Sequence, residues 1–297
     1  MDTIGPEVSL PFGKELAANE KKTRDKAVRS LKKFIATGAD LSKSDLLKLW
    51  KGLFYCYWMS DKPLVQQALA QDLGSLLLDL STDSFIPFLE AFWEIHCAQW
   101  HGIDRIRLDK YYMLLRRMIF FAFLYLANQD WNEEMTEAYM TMLLEGPLHP
   151  TDRSKPDSIR YHIIDIYFEE LDKILELQRE QGEEIHLDMD AIKRPLVVSS
   201  KDAINKVTRK KAKEALAARK QQEKEEEDEK EDENVEDATE EPEQAQVEEE
   251  EEIASEEPEP EQDVEEEEEE EVKPKKSSSS SKKRKASTRK PSKKRKL

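Results

Sequence analysis

Aromatic residues divide this 297-residue chain into two unequal parts. All 10 Phe, 5 Trp and 8 Tyr residues lie at or before Phe168. The sequence beyond them is rich in Glu, Lys, Ser and Pro. Such a composition cannot bury enough apolar surface to offset the conformational entropy that is lost on ordering. The sequence therefore predicts one folded domain followed by a long disordered tail.

Charge divides the tail again. Residues 223–272 hold 31 acidic and 2 basic residues, whereas residues 273–297 hold 13 basic and no acidic residues. The net charge of −18 sums these opposite blocks and says little about the partners of the folded part. We predict a helical domain at residues 1–180, an extended strap at 181–200, a basic helix at 201–222, a disordered acidic tract at 223–272 and a basic tail at 273–297.

The apolar pattern of the first 180 residues is helical. Only 8 Gly occur in the chain, and most of them stand where an apolar pattern stops. Cap candidates such as Ser42, Asp104 and Asn132 precede apolar stretches, and Pro63 suits a first helical turn. Short links favour antiparallel neighbouring helices, and about seven of them with broad apolar faces suggest stacked hairpins. We therefore predict an all-α fold, an irregular α-solenoid-like stack of about seven helices. Because no sequence repeat has a fixed period, a closed bundle stays open as an alternative.

No pattern of catalytic or metal-binding residues stands out in the sequence. His96, Cys97 and His101 come nearest to a ligand cluster, but their spacing matches no zinc pattern and favours core or helix-end positions. Asp188 and Asp190 alone do not define a magnesium site. We therefore predict that the chain is not an enzyme and needs no cofactor or metal.

Cysteine usage and hydropathy bear on the compartment. Cys56 and Cys97 lie in separate apolar segments, which suggests neither a disulfide framework nor a zinc site and fits a reducing compartment. The N-terminus lacks the pattern of a signal peptide. The longest apolar run, residues 118–127, is far shorter than the roughly 20 residues of a membrane span. We expect no membrane partner.

Two basic clusters near the C-terminus predict a nuclear localisation signal. Extended Lys and Arg side chains at this spacing suit the acidic groove of a nuclear import receptor. A general RNA-adhesive tail is the alternative, and the two uses are compatible. The clusters consist of Lys282, Lys283, Arg284 and Lys285, followed by Lys293, Lys294, Arg295 and Lys296.

The first predicted helix offers a second basic surface. Its cations suit RNA phosphates, although a solvated helix face is the simpler alternative. The same two alternatives apply to the basic helix predicted at residues 201–222. The five tryptophans lie in apolar helical stretches, where core packing is a commoner use than base stacking. The candidate RNA contacts of the first helix are Lys21, Lys22, Arg24, Lys26, Arg29, Lys32 and Lys33.

Three segments resemble the ribosomal RNA processing protein 1 family. They are LWKGLFY at 49–55 continuing to WMSDKP at 58–63, RLDKY at 107–111, and IRYH at 159–162 with IDIY and EEL up to residue 171. The resemblance covers roughly residues 10–178. It implies a non-catalytic nucleolar protein that joins precursors of the large ribosomal subunit and supports processing of the internal spacer region of the rRNA precursor. It also implies that the partners are other assembly factors, ribosomal proteins and pre-rRNA.

Asp61 and Lys62 are the candidate docking residues within the first of these segments. They are polar residues at a predicted turn between two helices, where partner contact and helix capping are both suitable uses. An acidic-tailed nuclear histone chaperone is the alternative function, because a Glu-rich tail can shield cationic partners. A metal-dependent hydrolase on a helical fold is a third class, and it would require bound metal on purification.

Overall fold

The computed structural model describes residues 13–38 and 41–237. Every regular element in these residues is helical, which confirms the predicted all-α class. Short 3-10 segments follow α4 and α5, at Leu76–Asp79 and Trp100–Gly102. The helices are α1 (Gly13–Leu16), α2 (Lys21–Ile35), α3 (Lys43–Trp58), α4 (Pro63–Ser75), α5 (Thr82–Gln99), α6 (Arg105–Ala127), α7 (Glu133–Glu145), α8 (Asp157–Glu180), α9 (Met189–Asp202) and α10 (Lys206–Asp237).

The helices form two layers. In the first layer α1 packs on α3, α3 on α5, α5 on α7 and α7 on α9. In the second layer α2 packs on the 3-10 segment after α4, α4 on α6, α6 on α8 and α8 on α10. From α3 to α8, the main contacts join helices that are two positions apart along the chain, whereas α9 and α10 pack mainly on each other. The described residues therefore form an α-solenoid-like stack, as predicted. The stack contains more helices than the seven that the apolar pattern indicates.

Three of the predicted helix N-caps are confirmed. The Ser42 hydroxyl accepts a hydrogen bond from the backbone N–H of Asp45, and the Asp104 carboxylate accepts one from that of Arg107. The Asn132 side chain caps α7 in the same way. These contacts satisfy N–H groups that have no partner within their own helix.

The strap predicted at residues 181–200 is wrong over most of its length, because α9 occupies Met189–Asp202. The Asp188 carboxylate caps this helix by accepting hydrogen bonds from the N–H groups of Asp190 (2.9 Å) and Ala191 (3.2 Å). Ile192 and Leu196 are fully buried. Pro195 lies inside the helix and concealed it at the sequence level, since proline usually marks a helix end.

The helical domain does not end at residue 180. Helix α10 starts near the predicted basic helix but continues to Asp237, well into the tract expected to be disordered. It packs against α8 and α9, with Ala212 fully buried and Arg219 only 4% exposed. The rest of the predicted acidic tract and the whole basic tail lie outside the described residues.

Tryptophan packing confirms the core use predicted for most of these residues. Trp50 is fully buried, and its indole N–H donates to the carbonyl oxygen of Phe88 at 3.0 Å. Its ring also packs edge-on against Phe88 and Phe92. Trp93, Trp100 and Trp131 are each at most 5% exposed. Among the described helices, none combines the length and apolar character needed to cross a membrane.

Candidate docking surface

A buried cation joins the first two of the segments that carry the family resemblance. The Lys110 ammonium group on α6 donates hydrogen bonds to the carbonyl oxygens of Trp58 (2.7 Å) and Ser60 (2.8 Å) at the end of α3. In return, the Tyr57 hydroxyl donates to the backbone carbonyl of Lys110 at 2.8 Å. Burial lowers the pKa of Lys110. These contacts fix the turn between α3 and α4 against the first turns of α6.

Asp61 lies on this turn with its side chain 66% exposed. One carboxylate oxygen is 3.5 Å from Arg107 Nε and 3.6 Å from Lys110 Nζ. The Arg107 guanidinium lies 4.9 Å from the centre of the Trp58 ring. Asp61 therefore supports the turn electrostatically as well as facing solvent. Lys62 is exposed and occupies the N-cap position of α4 without a side-chain cap hydrogen bond.

Two apolar side chains missed by the sequence analysis lie close to this turn in the fold. Leu64 is 79% exposed and Ile106 is 92% exposed, the two highest values among the large apolar residues described. Each is the second residue of its helix, and each falls off the apolar stripe of that helix. That offset was a usable signal, because a large apolar residue outside the stripe has no place in the core.

The packing of α4 and α6 brings these two residues to the same edge. Asp61, just before α4, lies beside Arg107 in the first turn of α6. A side-chain carbon added at Gly74, near the end of α4, would lie 2.4 Å from the Phe121 ring on α6. The two helices are therefore parallel and start at the same edge. We call the surface formed by Asp61, Lys62, Leu64 and Ile106 the α4–α6 edge.

The third resemblance segment holds α8 in place. His162 Nε2 lies 2.9 Å from the carbonyl oxygen of Tyr112 on α6, and burial lowers the pKa of His162. Arg160 is 5% exposed and donates to the carbonyl oxygens of His149 and Lys155, each at 2.8 Å. These side chains position the loop before α8 and fasten α8 to α6.

A surface cavity of about 320 Å³ lies beside that loop, between the starts of α8 and α10. Its lining includes Asp152, Arg153 and Lys155, so it presents both signs of charge. The hydroxyl of Thr208 is buried there without a hydrogen-bond partner.

Arg24 is not an available RNA contact, contrary to the sequence prediction. It is 5% exposed, and its guanidinium donates to the carbonyl oxygens of Ala18 (2.9 Å), Asn19 (2.8 Å) and Met59 (3.3 Å). The arginine satisfies backbone acceptors in the link between α1 and α2 and at the end of α3. A cation in this role is structural.

The other cations of α2 divide into two groups. Lys21 pairs with Asp25, and Lys32 lies 3.7 Å from Asp79. The remaining four are exposed, and their spacing of four, three and four residues places them on one face of the helix. This face consists of Lys22, Lys26, Arg29 and Lys33.

His96 and Cys97, two of the residues considered for metal binding, lie in the core. His96 is fully buried, and burial lowers its pKa to about 4. Burial also raises the pKa of Cys97 to about 11. In the part of the chain that the structure describes, no group of three or more His, Cys, Asp or Glu residues is arranged to hold a metal ion. The two C-terminal basic clusters lie outside the described residues.

A family model described as "Nucleolar protein, Nop52" matches residues 7–297 of the chain. The chain belongs to the Nop52 family. Membership confirms the family resemblance and the nuclear, nucleolar localisation predicted from the sequence.

Curated relatives of this Nop52-family chain carry the name ribosomal RNA processing protein 1 homolog. The human homolog A is 40% identical over 177 residues, which cover 58% of this chain and 38% of the relative. The Drosophila melanogaster homolog is 33% identical over 164 residues, covering 53% of this chain and 24% of the relative. The Caenorhabditis elegans homolog is 32% identical over 185 residues, covering 61% and 46%. The matched part of this chain thus spans less than half the length of each of these relatives.

Proposed function

We propose that this chain is a non-enzymatic assembly factor of the large ribosomal subunit. It supports pre-rRNA processing by docking other assembly factors and ribosomal proteins on the nucleolar pre-ribosome. Membership of the Nop52 family and the names of the relatives support a role in ribosomal RNA processing. The observation that carries the docking role is the pair of exposed apolar side chains, Leu64 and Ile106, on one edge of a rigid stack.

The α4–α6 edge has the properties of a protein-docking site. Large apolar side chains that become buried on binding supply most of the free energy of association, and polar neighbours restrict the choice of partner. Leu64 and Ile106 are such anchors, with Asp61 and Lys62 beside them. Because Lys110 fixes the edge before binding, little conformational entropy is lost when a partner docks.

Contacts with RNA and with the import machinery complete the proposal. The exposed face of α2 suits phosphates of the pre-rRNA, with Lys22, Lys26, Arg29 and Lys33 in that role. The clusters at residues 282–285 and 293–296 suit a nuclear import receptor.

The docking role is tested with Leu64→Ser/Ile106→Ser in the full-length chain. Both side chains are exposed, so the melting temperature should change little, whereas loss of two anchors should weaken association with large-subunit precursors by roughly tenfold or more. Sedimentation of cell extracts on sucrose gradients measures this association. The matched control is Ile204→Ser/Val207→Ser, since both residues are 48% exposed. Unchanged co-sedimentation of the Leu64/Ile106 variant would refute docking through this edge.

The histone-chaperone alternative is favoured by the density of acidic residues after α10. Deleting residues 238–272 removes much of that charge and leaves the described helices intact. We expect this deletion to leave co-sedimentation with large-subunit precursors unchanged, because exposed charges beyond a Debye length of about 8 Å are largely screened and do not specify a partner. Loss of precursor association together with loss of histone binding would favour the chaperone.

A further inference from the structure

Helix α10 carries a row of lysines on the face opposite its packed face. The spacings along the row are four, three, seven and four residues, which keep all members within roughly 40° of one line along the helix. All members are exposed. At 1.5 Å per residue, the row is about 27 Å long. We call it the lysine stripe: Lys206, Lys210, Lys213, Lys220 and Lys224.

Other cations of α10 serve the fold and differ from the stripe in this respect. Lys211 pairs with Asp165 on α8 at 2.7 Å, and Arg219 pairs with Asp172 on the same helix. Within the stripe, only Lys210 has an ion pair with another described residue, Glu214 at 3.6 Å. The remaining four lysines point their charge into solvent.

The stripe is held rigidly. Thr208, Ala212 and Arg219 are buried on the opposite side of α10, against α8 and α9. The lysines therefore share a fixed line instead of lying on a fraying helix. A face that serves only solubility usually mixes both signs of charge, whereas this stripe is of one sign. Four of its five lysines lie within residues 1–222, which hold 34 acidic and 32 basic residues.

We propose that the lysine stripe binds the phosphate backbone of double-helical RNA. A straight row of point charges suits the regular phosphates of a duplex, and it carries no base-specific information. Single-stranded RNA is a poorer fit because recognition of its bases uses exposed aromatic rings, and residues 206–224 include none. The stripe is distinct from the α4–α6 edge, so purified protein can bind duplex RNA through it whether or not that edge docks a protein.

The test measures binding of a fluorescent 20-base-pair RNA duplex to the full-length chain. The stripe variant is Lys213→Gln/Lys220→Gln, and the charge-matched control on α3 is Lys43→Gln/Lys51→Gln. Glutamine and lysine have similar helix propensities, so α10 should keep its helix. Both variants and their parent carry glutamine at all 13 cations of residues 273–297, so that the basic tail cannot mask an effect.

We expect the stripe variant to bind the duplex about tenfold more weakly, and the slope of log Kd against log salt to fall by about 1.4–1.8, since each lysine lost removes one phosphate contact. The control should bind within about twofold of the parent. Equal loss in both variants would reduce the effect to net charge and overturn the proposal. Unchanged duplex binding by the stripe variant would overturn it too. If that variant then failed to co-sediment with a protein that accompanies its parent on sucrose gradients of cell extracts, the stripe would be assigned to a protein partner.

Discussion

The Lys110 ammonium nitrogen lies 2.8 Å from the carbonyl oxygen of Ser60 and thereby ties α6 to the turn that follows α3. Carbonyl groups at a helix C-terminus lack partners within the helix and carry the negative end of its dipole. A buried cation satisfies both needs at once. The polar turn and the two apolar anchors of the α4–α6 edge consequently share one rigid support.

Replacing this cation should destabilise the fold. Lys110→Met keeps most of the aliphatic stem but leaves the carbonyl groups of Trp58 and Ser60 without their donor, so the free energy of unfolding should fall by roughly 2–3 kcal/mol. Urea denaturation of the full-length chain measures it. Lys62→Met, two residues from Ser60 and exposed, should change it by less than about 0.5 kcal/mol. Equal effects of the two changes would show that the Lys110 hydrogen bonds do not stabilise the turn after α3.

The features that could be predicted from the sequence are those that depend on residues close together in the chain. Ser42, Asp104 and Asn132 act on N–H groups a few residues away, so their capping roles were visible without a fold. The buried site of Arg24 is formed in part by Met59, which is 35 residues further along the chain and whose carbonyl oxygen accepts from the guanidinium. Its structural role therefore could not be separated from the exposed cations beside it, and the packing of α10 on α8 was hidden for the same reason.

The same substitution should have different effects at Arg24 and at Lys22. Arg24→Gln removes a buried guanidinium that serves three carbonyl oxygens, so it should lower the free energy of unfolding by roughly 2–3 kcal/mol. Lys22→Gln should leave stability unchanged and weaken RNA binding instead. Thermal melting and duplex binding separate the two effects. An Arg24→Gln protein with an unchanged melting temperature and weaker RNA binding would show that Arg24 contacts RNA after all.

Truncation should show where the folded domain ends. A chain ending at residue 240 retains α10 and should melt at the temperature of the full-length chain. A chain ending at residue 205 exposes the face of α8 that α10 covers and loses the Arg219–Asp172 pair, so it should melt at a lower temperature or without cooperativity. Identical melting of the two fragments would limit the stable domain to α1–α9.

Acid should weaken the fold in part through His96. Its folded pKa of about 4 lies below the ordinary value of 6.5, so the unfolded chain takes up a proton first as pH falls. Stability is therefore fully present above pH 6.5 and is lost between pH 6.5 and 4, by roughly 2 kcal/mol at pH 5. His96→Phe should remove this part of the pH dependence in urea unfolding, whereas His101→Asn, at an exposed site, should keep it. Identical pH profiles for wild type and His96→Phe would contradict the assignment.

The close approach of α4 and α6 depends on a glycine. A side-chain carbon at Gly74 would lie 2.4 Å from Phe121 Cδ2 and 3.3 Å from the carbonyl oxygen of Arg117. Phe121 is only 4% exposed, so its ring is surrounded by other residues that would have to move with it. Alanine is intrinsically better than glycine in a helix by about 1 kcal/mol, but overpacking of this kind costs roughly 1–3 kcal/mol.

Gly74→Ala should therefore leave the free energy of unfolding unchanged or lower it by up to about 2 kcal/mol. Moving the two helices apart should also separate Leu64 from Ile106 and weaken co-sedimentation with large-subunit precursors. Gly102→Ala is the matched control, because a side-chain carbon there meets no atom within 4 Å. A Gly74→Ala protein that is more stable than wild type would show that α4 and α6 adjust freely, and the rigid support inferred for the α4–α6 edge would then be wrong.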